Sequence, residues 1–203
     1  SASVPTATTT SQIEIARGGH VPEVPPMSGH SIEARLYAED PAHGFLPVSG
    51  TVDRFEFDDT VRVDSGVESG TEVSVHYDPM IAKVIAHAPT RTEAVSILAA
   101  ALRRARIHGP VNNRRLLVAV LEHPEFATGE TDTGFLERHD PAELSRPLLD
   151  EEGEHDAAVA AALADRARAR SQIGLSSLRP GWRNSPAVPQ TRSYESDRRI
   201  WLI

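Results

Sequence analysis

The chain has no cysteine, few aromatic residues and no long apolar run, and each absence excludes a class of protein. Without cysteine, neither disulfide bonds nor thiolate metal sites can form. No apolar stretch approaches the roughly 20 residues that a transmembrane helix needs. Aromatic residues make up only 5% of the 203 residues, so we expect a modest core built mainly from aliphatic side chains.

An excess of positive charge is also missing. The net charge of −8 argues against general affinity for nucleic acid and for an anionic membrane surface, because both require basic patches. We therefore expect no nucleic-acid partner and no membrane association. The N-terminus lacks the basic and apolar blocks of a signal peptide, which together with the missing cysteine indicates a cytoplasmic protein.

The most informative segment runs from Gly29 to Asp40 and has the alternation of a strand. Successive side chains of a strand point to opposite faces, so one face here is apolar and the other polar. The apolar face has Ile32, Ala34, Leu36 and Ala38, and the polar face has Ser31, Glu33, Arg35 and Tyr37. The rigid donor fork of Arg35 suits a carboxylate, a phosphate or a developing oxyanion. A solvated charged face of a structural strand explains the same pattern.

Further alternating segments with short turns predict an antiparallel sheet between His30 and His87. Its other strands are expected at Thr51–Phe57, Val61–Ser65, Val73–Tyr77 and Met80–His87. A helix follows. It is expected to begin with a capping box formed by Thr90 and Glu93 and to end at Gly109. A second helix is expected to begin at Asn112 or Asn113 and to end at Pro124.

The two ends of the chain differ in composition from its middle, which predicts three regions: 1–28, 29–137 and 138–203. Residues 1–11 form a polar, disordered tail, followed by a short helix at Gln12–Arg17. The last region predicts a helix start at Asp140, an acidic linker at Asp150–Glu152, a helix at Ala157–Arg170 and a strand over Tyr194–Ile203.

The expected fold class is therefore α+β. It consists of an antiparallel sheet with two or three packed helices, a partly disordered N-terminal tail and a C-terminal helical linker.

Short blocks of residues follow one another between positions 11 and 137. They include Gly29–Arg35, Ala38–Pro41, Phe45–Pro47, Val61–Asp64, Tyr77–Lys83, Thr90–Ala94, Ile107–Gly109 and Thr133–Leu136. In this order they resemble the C-terminal part of biotin carboxylase, the ATP-grasp enzyme of biotin-dependent acyl-CoA carboxylases. Several blocks at matching separations are far more specific than any one of them. The Gly181–Asn184 run resembles the start of the domain that follows biotin carboxylase in larger α subunits.

The resemblance implies a ligase in which ATP activates bicarbonate and the carboxyl group then passes to a ureido nitrogen of biotin. Arg35 matches an arginine at the biotin and bicarbonate end of the site, where it stabilises negative charge on the ureido oxygen. Glu33 either orients Arg35 or only balances its charge. Asp78 matches a residue that supports the site, although it also suits a turn. Arg62 matches an arginine near the dimer contact.

The resemblance also implies cofactors and partners. The cofactors are biotin, on a carrier domain outside this sequence, with ATP and Mg²⁺ in the intact enzyme. The partners are the remainder of the biotin carboxylase, the biotin carrier domain and a carboxyltransferase β subunit, in an oligomer that carboxylates an acyl-CoA of the acetyl or propionyl type in fatty acid metabolism.

The glycine-rich phosphate loop of the ATP-grasp half does not occur in residues 1–28, and the biotin attachment motif is missing. We therefore expect a fragment that is inactive alone.

Two other interpretations remain open. The chain is either a non-catalytic assembly module, docking through the Arg62 face or the segment after residue 138, or an unrelated α+β domain. No metal site is expected, because His20, His43, His76, His87 and His108 lack metal-ligand spacing.

Overall fold

The computed structural model describes residues 7–20, 26–74, 76, 78–172, 191–195 and 200–203. The chain divides into two compact units, Ser1–Arg146 and Pro147–Ile203. Antiparallel strand pairs and helices build the structure, so the α+β class predicted from the sequence is confirmed. Within the described part, no helix combines the length and the apolar character needed to cross a bilayer.

A three-stranded antiparallel sheet is the centre of the first unit. Its strands are β1 (His30–Tyr37), β6 (Arg62–Ser65) and β8 (Met80–Ala88). β8 lies in the middle, with β1 and β6 on either side. The four alternate residues predicted to form an apolar face, from Ile32 to Ala38, are all buried. The face prediction is therefore confirmed, and it leaves the opposite face of β1 polar.

Three short strand pairs accompany this sheet, and their bounds differ from two of the strands predicted from the sequence. The pairs are β2 (Glu39–Asp40) with β3 (Leu46–Pro47), β4 (Gly50–Thr51) with β7 (Glu72–Val73), and β5 (Arg54–Glu56) with β9 (Arg106–His108). The single strand predicted over 51–57 is wrong, because the fully buried Val52 separates β4 from β5. The strand predicted over 73–77 ends at Val73, and Val75 and Tyr77 lie outside the described residues.

Helix α2 (Arg91–Arg104) covers the apolar face of the sheet. Its first turn carries the predicted capping box between Thr90 and Glu93. Leu98 and Leu102 are fully buried, and burying side chains of this size stabilises the fold by about 1.5–3 kcal/mol each. Gly109 does not end this helix as predicted. The chain leaves the helix at Ala105 and forms β9 before it reaches the glycine.

Four short helices complete the first unit after β9. They are α3 (Arg114–Leu121), α4 (Pro124–Thr128), α5 (Phe135–Arg138) and α6 (Pro141–Leu144). Asp140 caps α6 as predicted, because its carboxylate accepts a hydrogen bond from the backbone N–H of Ala142. Pro124, predicted only as a helix end, is the first residue of α4. Its fixed φ and missing N–H suit that position.

The terminal regions are more helical than predicted. Helix α1 (Ala7–Ala16) includes part of the predicted disordered tail, while residues 1–6 lie outside the described residues. Helix α7 (Glu151–Gln172) replaces the predicted acidic linker, because carboxylates in a first turn favour the positive end of the helix. A hairpin of β10 (Ser193–Glu195) and β11 (Ile200–Leu202) follows. The single strand predicted over Tyr194–Ile203 is wrong, because the strand residues described there belong to two strands that pair with each other. The 181–184 run lies outside the described residues.

Gly29, which precedes β1, needs to be a glycine for two reasons. Its φ of +70° is a left-handed conformation, and an added Cβ would lie 2.6 Å from the carbonyl oxygen of Ala88 on the neighbouring strand. Gly44 has nearly the same φ, +69°, but an added Cβ would meet no atom within 4 Å. Replacing Gly44 therefore tests backbone strain alone, while replacing Gly29 tests backbone strain together with steric overlap.

We expect Gly29→Ala to destabilise the protein more than Gly44→Ala. The left-handed backbone costs about 1–2 kcal/mol at either position, and overlap with β8 adds about 1–3 kcal/mol at Gly29 alone. Urea unfolding of the full chain, followed by circular dichroism, measures both free energies. Equal losses would mean that the contact between Gly29 and β8 is loose enough to accept a methyl group.

Candidate functional site

The polar face of the three-stranded sheet brings charged residues from all three strands together. We call Glu33, Arg35, Arg62, Asp64 and Lys83 the charged face. Arg35, Lys83 and Asp64 are register partners across β1, β8 and β6. Glu33 and Arg62 both lie opposite Ile85, one from each side, in the next row. The sheet therefore fixes the relative positions of these residues through its backbone hydrogen bonds.

The charged face has more positive than negative charge although the whole chain is acidic. It carries three cations and two carboxylates, in a protein of net charge −8. Arg35 and Lys83 occupy directly paired positions, where like charges repel unless other groups compensate. An anion bound between the two would relieve that repulsion. The face is therefore better suited to a small anion than to a cation.

Arg35 is held in place by its own strand. Its Nε donates a 2.9 Å hydrogen bond to Oε1 of Glu33, two residues away on the same face. This bond and the charge of Glu33 raise the pKa of Arg35, and Tyr37 contributes in the same direction. The Arg35 side chain is 60% exposed. Because a guanidinium has five N–H donors, one bond to Glu33 leaves donors for a ligand.

Asn113, which sequence reasoning assigned only to a helix start, determines the backbone around Arg35. Its Oδ1 accepts a 2.9 Å hydrogen bond from the N–H of Tyr37, and its Nδ2 donates a 3.1 Å bond to the carbonyl of Arg35. Its own backbone N–H donates to the carbonyl of Tyr37 at 3.1 Å. Asn113 is buried, so these bonds are shielded from water.

The position of these bonds explains why an asparagine is needed. β1 is an edge strand of the three-stranded sheet, and its pairing with β8 shifts register between Leu36 and Tyr37. An irregularity of this kind disrupts the ladder and re-aims nearby side chains. Asn113 takes the place of a neighbouring strand there, because its side chain and backbone offer the same donors and acceptors. It is a positioning residue for Arg35.

Asp78 lies two residues before β8, and its contacts fit the turn interpretation. Its Oδ1 accepts a 2.9 Å hydrogen bond from the N–H of Met80, the register partner of Tyr37. Burial raises the pKa of Glu39, and the charge of Asp78 adds to this effect. Four strand positions, or ~13 Å, separate this turn from Arg35 along the sheet. A role of Asp78 on the substrate side stays a prediction.

Arg62 lies on β6, on the other side of β8 from Arg35. Its Nε and Nη2 donate to the two oxygens of Asp64 at 2.8 and 2.9 Å. This bidentate bond and the charge of Asp64 raise the pKa of Arg62. The structure thus brings Arg35 and Glu33 into contact and places Arg62 on the same face, in a separate ion pair. A role of Arg62 at a contact between subunits stays a prediction.

Two surface concavities lie away from the charged face. One, of about 500 Å³, is lined by residues of α2 and by the segment from Leu121 to Ala127. The other, of about 460 Å³, is lined by residues from His87 to Ile97. Arg35 lines neither concavity, and it points to solvent from an open sheet face. A ligand on the charged face therefore needs a second wall from elsewhere.

This chain is similar to known proteins in both sequence and structure. Residues 33–138 match the family model of the biotin carboxylase C-terminal domain. The α subunit of mitochondrial methylcrotonoyl-CoA carboxylase from Arabidopsis thaliana is 40% identical over 165 residues, which cover 74% of this chain and 22% of that protein. A biotin carboxylase from Halalkalibacterium halodurans is 39% identical over 133 residues, which cover 63% of this chain and 29% of that protein.

A solved structure agrees with these relatives. The biotin carboxylase domain of Hydrogenobacter thermophilus 2-oxoglutarate carboxylase, in complex with ADP, its magnesium salt and bicarbonate, matches with a TM-score of 0.63 at 32% identity. The match covers 68% of this chain and 31% of that one. The chain spans about a fifth of the length of the curated α subunit named above. Because the family model matches more than half of its 203 residues, the chain belongs to the biotin carboxylase C-terminal domain family.

Proposed function

We propose that this chain forms the biotin and bicarbonate side of the active site of a biotin carboxylase. In the intact enzyme the reaction is the ATP-dependent carboxylation of biotin by bicarbonate, within the α subunit of an acyl-CoA carboxylase. The observation that carries the proposal is the position of Arg35, a fixed and exposed guanidinium on a sheet face with excess positive charge. Family membership supports it.

The physical role of Arg35 follows from its fixed position. A donor that already points to the place where negative charge develops needs no reorganisation during the reaction, and such donors stabilise the transition state strongly. Glu33 restrains the guanidinium through Nε, and Asn113 restrains the strand that carries it. Lys83, the register partner of Arg35, adds positive charge beside it. These residues together favour an anion or a developing oxyanion.

The charged face also fits biotin. When bound, biotin supplies the ureido nitrogen that accepts the carboxyl group. The remaining N–H donors of Arg35 match a ureido oxygen, and the positive charge around them matches bicarbonate. Arg35 would hold both, with Glu33 keeping its guanidinium oriented. We assign no residue of this chain to ATP or Mg²⁺, whose sites the proposal places elsewhere in the intact enzyme.

The proposal extends to partners and acceptor. The partners are the rest of the biotin carboxylase, a biotin carrier domain and a carboxyltransferase subunit, with Arg62 at a contact between subunits and the assembly in the cytoplasm. The sequence resemblance implied an acetyl- or propionyl-CoA acceptor. The relatives extend the range of acyl groups, since they include proteins named for methylcrotonoyl-CoA and for propionyl-CoA. We therefore propose an acyl-CoA acceptor without choosing its acyl group.

A chimera tests the proposal. Residues 12–138 of this chain replace the matching segment of the Halalkalibacterium halodurans biotin carboxylase, which supplies the nucleotide side of the site. We expect ATP cleavage that depends on bicarbonate and increases when free biotin is added, because Arg35 and its supports complete the site. The measurement is phosphate release with and without biotin.

The parent enzyme and the isolated chain serve as the controls. A chimera that folds like the parent but cleaves no ATP in response to biotin would refute the proposal. If the isolated chain, shown to be folded, then captured a carboxyltransferase β subunit, the assembly module would be the better interpretation.

A further inference from the structure

Two histidines and a glutamate meet in the first unit, away from the charged face. His123 precedes α4, Glu125 lies on its first turn, and His139 follows α5. The metal-binding atoms of all three lie within 4.8 Å of one another. His139 Nε2 is 2.8 Å from Oε1 of Glu125, and the imidazole centroids of the two histidines are 4.3 Å apart. All three side chains are partly buried.

The surroundings hold these three side chains in position. Arg138 donates a 3.0 Å hydrogen bond to Oε2 of Glu125, the oxygen that does not contact His139. Asp132 in turn accepts a 2.9 Å bond from Arg138 and compensates its charge. The buried ring of Phe135 packs edge-on against His123 at 5.0 Å and also contacts His139 at 4.7 Å. Glu125 can therefore use Oε1 for a ligand while Oε2 remains bound.

This combination is the donor set of a metal site. Two imidazoles and one carboxylate form a common protein ligand set for Zn²⁺, with a fourth position for water. Metal-bound carboxylates are themselves usually hydrogen-bonded, as Glu125 is by Arg138. The three donor atoms lie within 4.8 Å of one another, close enough for one ion to contact all three. We propose that His123, Glu125 and His139 bind a divalent transition metal, with Zn²⁺ as the expected ion.

Binding replaces a contact that already exists. The metal takes the place of the 2.8 Å contact between His139 Nε2 and Glu125 Oε1. The ligands come from both ends of the segment 123–139. A bound metal therefore joins the two ends of this segment, and it stabilises the folded state because the unfolded chain has no preformed site for the metal. The proposed role is structural and does not depend on biotin carboxylation.

Calorimetric titration of the full, metal-free chain with ZnCl₂ tests the site. We expect one Zn²⁺ per chain, and His123→Ala, Glu125→Gln and His139→Ala are each expected to weaken binding by at least about tenfold. His43→Ala is the matched control. His43 also contacts a carboxylate, that of Asp40 at 2.7 Å, but among the described residues no second imidazole joins that pair.

A measurement on the unmodified protein avoids variants that do not fold. Diethyl pyrocarbonate modifies accessible imidazoles, and peptide mass mapping locates the modified residues. We expect Zn²⁺ to protect His123 and His139 while His43 continues to react. Absence of zinc binding, equal weakening by His43→Ala, or protection of other histidines instead of this pair would each overturn the proposal.

Discussion

Arg35→Ala in the chimeric enzyme is expected to lower the rate of biotin-dependent ATP cleavage by about 10²–10³-fold, the usual cost of losing one fixed oxyanion donor. The loss should appear mainly in kcat, because the donor acts on charge that develops during the reaction. ATP cleavage without biotin should change less, since no negative charge develops on a ureido oxygen when biotin is absent. Steady-state kinetics with varied biotin separates the two effects.

Arg54→Ala provides a matched control for this substitution. Arg54 is also a partly exposed strand arginine that binds a glutamate two residues away, Glu56 at 2.9 Å, but it lies on β5, outside the charged face. Its replacement should leave activity nearly unchanged. Arg35→Lys should recover only part of the activity, because lysine keeps the charge but lacks the rigid donor fork. Equal losses in the Arg35 and Arg54 variants would rule out a specific role for Arg35.

The local parts of this site could be predicted from the sequence. The two faces of β1 follow from strict alternation over the seven residues from Ser31 to Tyr37, and the capping box of α2 follows from Thr90 and Glu93. Such features depend on neighbours that are close in the chain. The strand predicted over 51–57 is wrong because of contacts that are distant in the chain. Val52 separates β4 from β5, and it is buried in a core with distant residues, among them Ile107.

The register and the metal ligands were less predictable. Arg35 and Lys83 share a row because β8 pairs with β1 across almost fifty residues, and nothing local to either residue specifies that partner. His123 and Glu125 are two residues apart, a spacing that could have drawn attention to a metal site. His139 joins them only through the turns that connect α4 to α5.

Asn113 illustrates the same limit most clearly. An asparagine just before a helix suggests a side-chain cap, and Asn113 does occupy the N-cap position of α3. Its side chain makes no cap hydrogen bond and instead binds β1, 76 and 78 residues earlier in the chain. The usual local interpretation is therefore wrong for the side chain, because long-range pairing with a strand edge uses the donors and acceptors that a cap would need.

Asn113→Ala is expected to destabilise the first unit by about 2–4 kcal/mol, because it leaves the N–H of Tyr37 and the carbonyl of Arg35 without their partners at a shielded strand edge. Urea unfolding of the full chain measures this loss. In the chimera, the same substitution should lower kcat for biotin-dependent ATP cleavage, since a mobile β1 no longer presents Arg35 in one position. The activity should fall even where the variant remains folded.

Two further variants distinguish positioning from simple loss of stability. Asn112→Ala removes a neighbouring amide whose bonds are local, to Pro110 and Arg114, so it should cost less stability and little activity. Asn113→Asp keeps an acceptor for the N–H of Tyr37 but loses the donor to Arg35, and it should fall between the alanine variant and the unmodified protein. If Asn112→Ala and Asn113→Ala had equal effects on kcat, Asn113 would be an ordinary buried residue, and Glu33 would be the remaining support for Arg35.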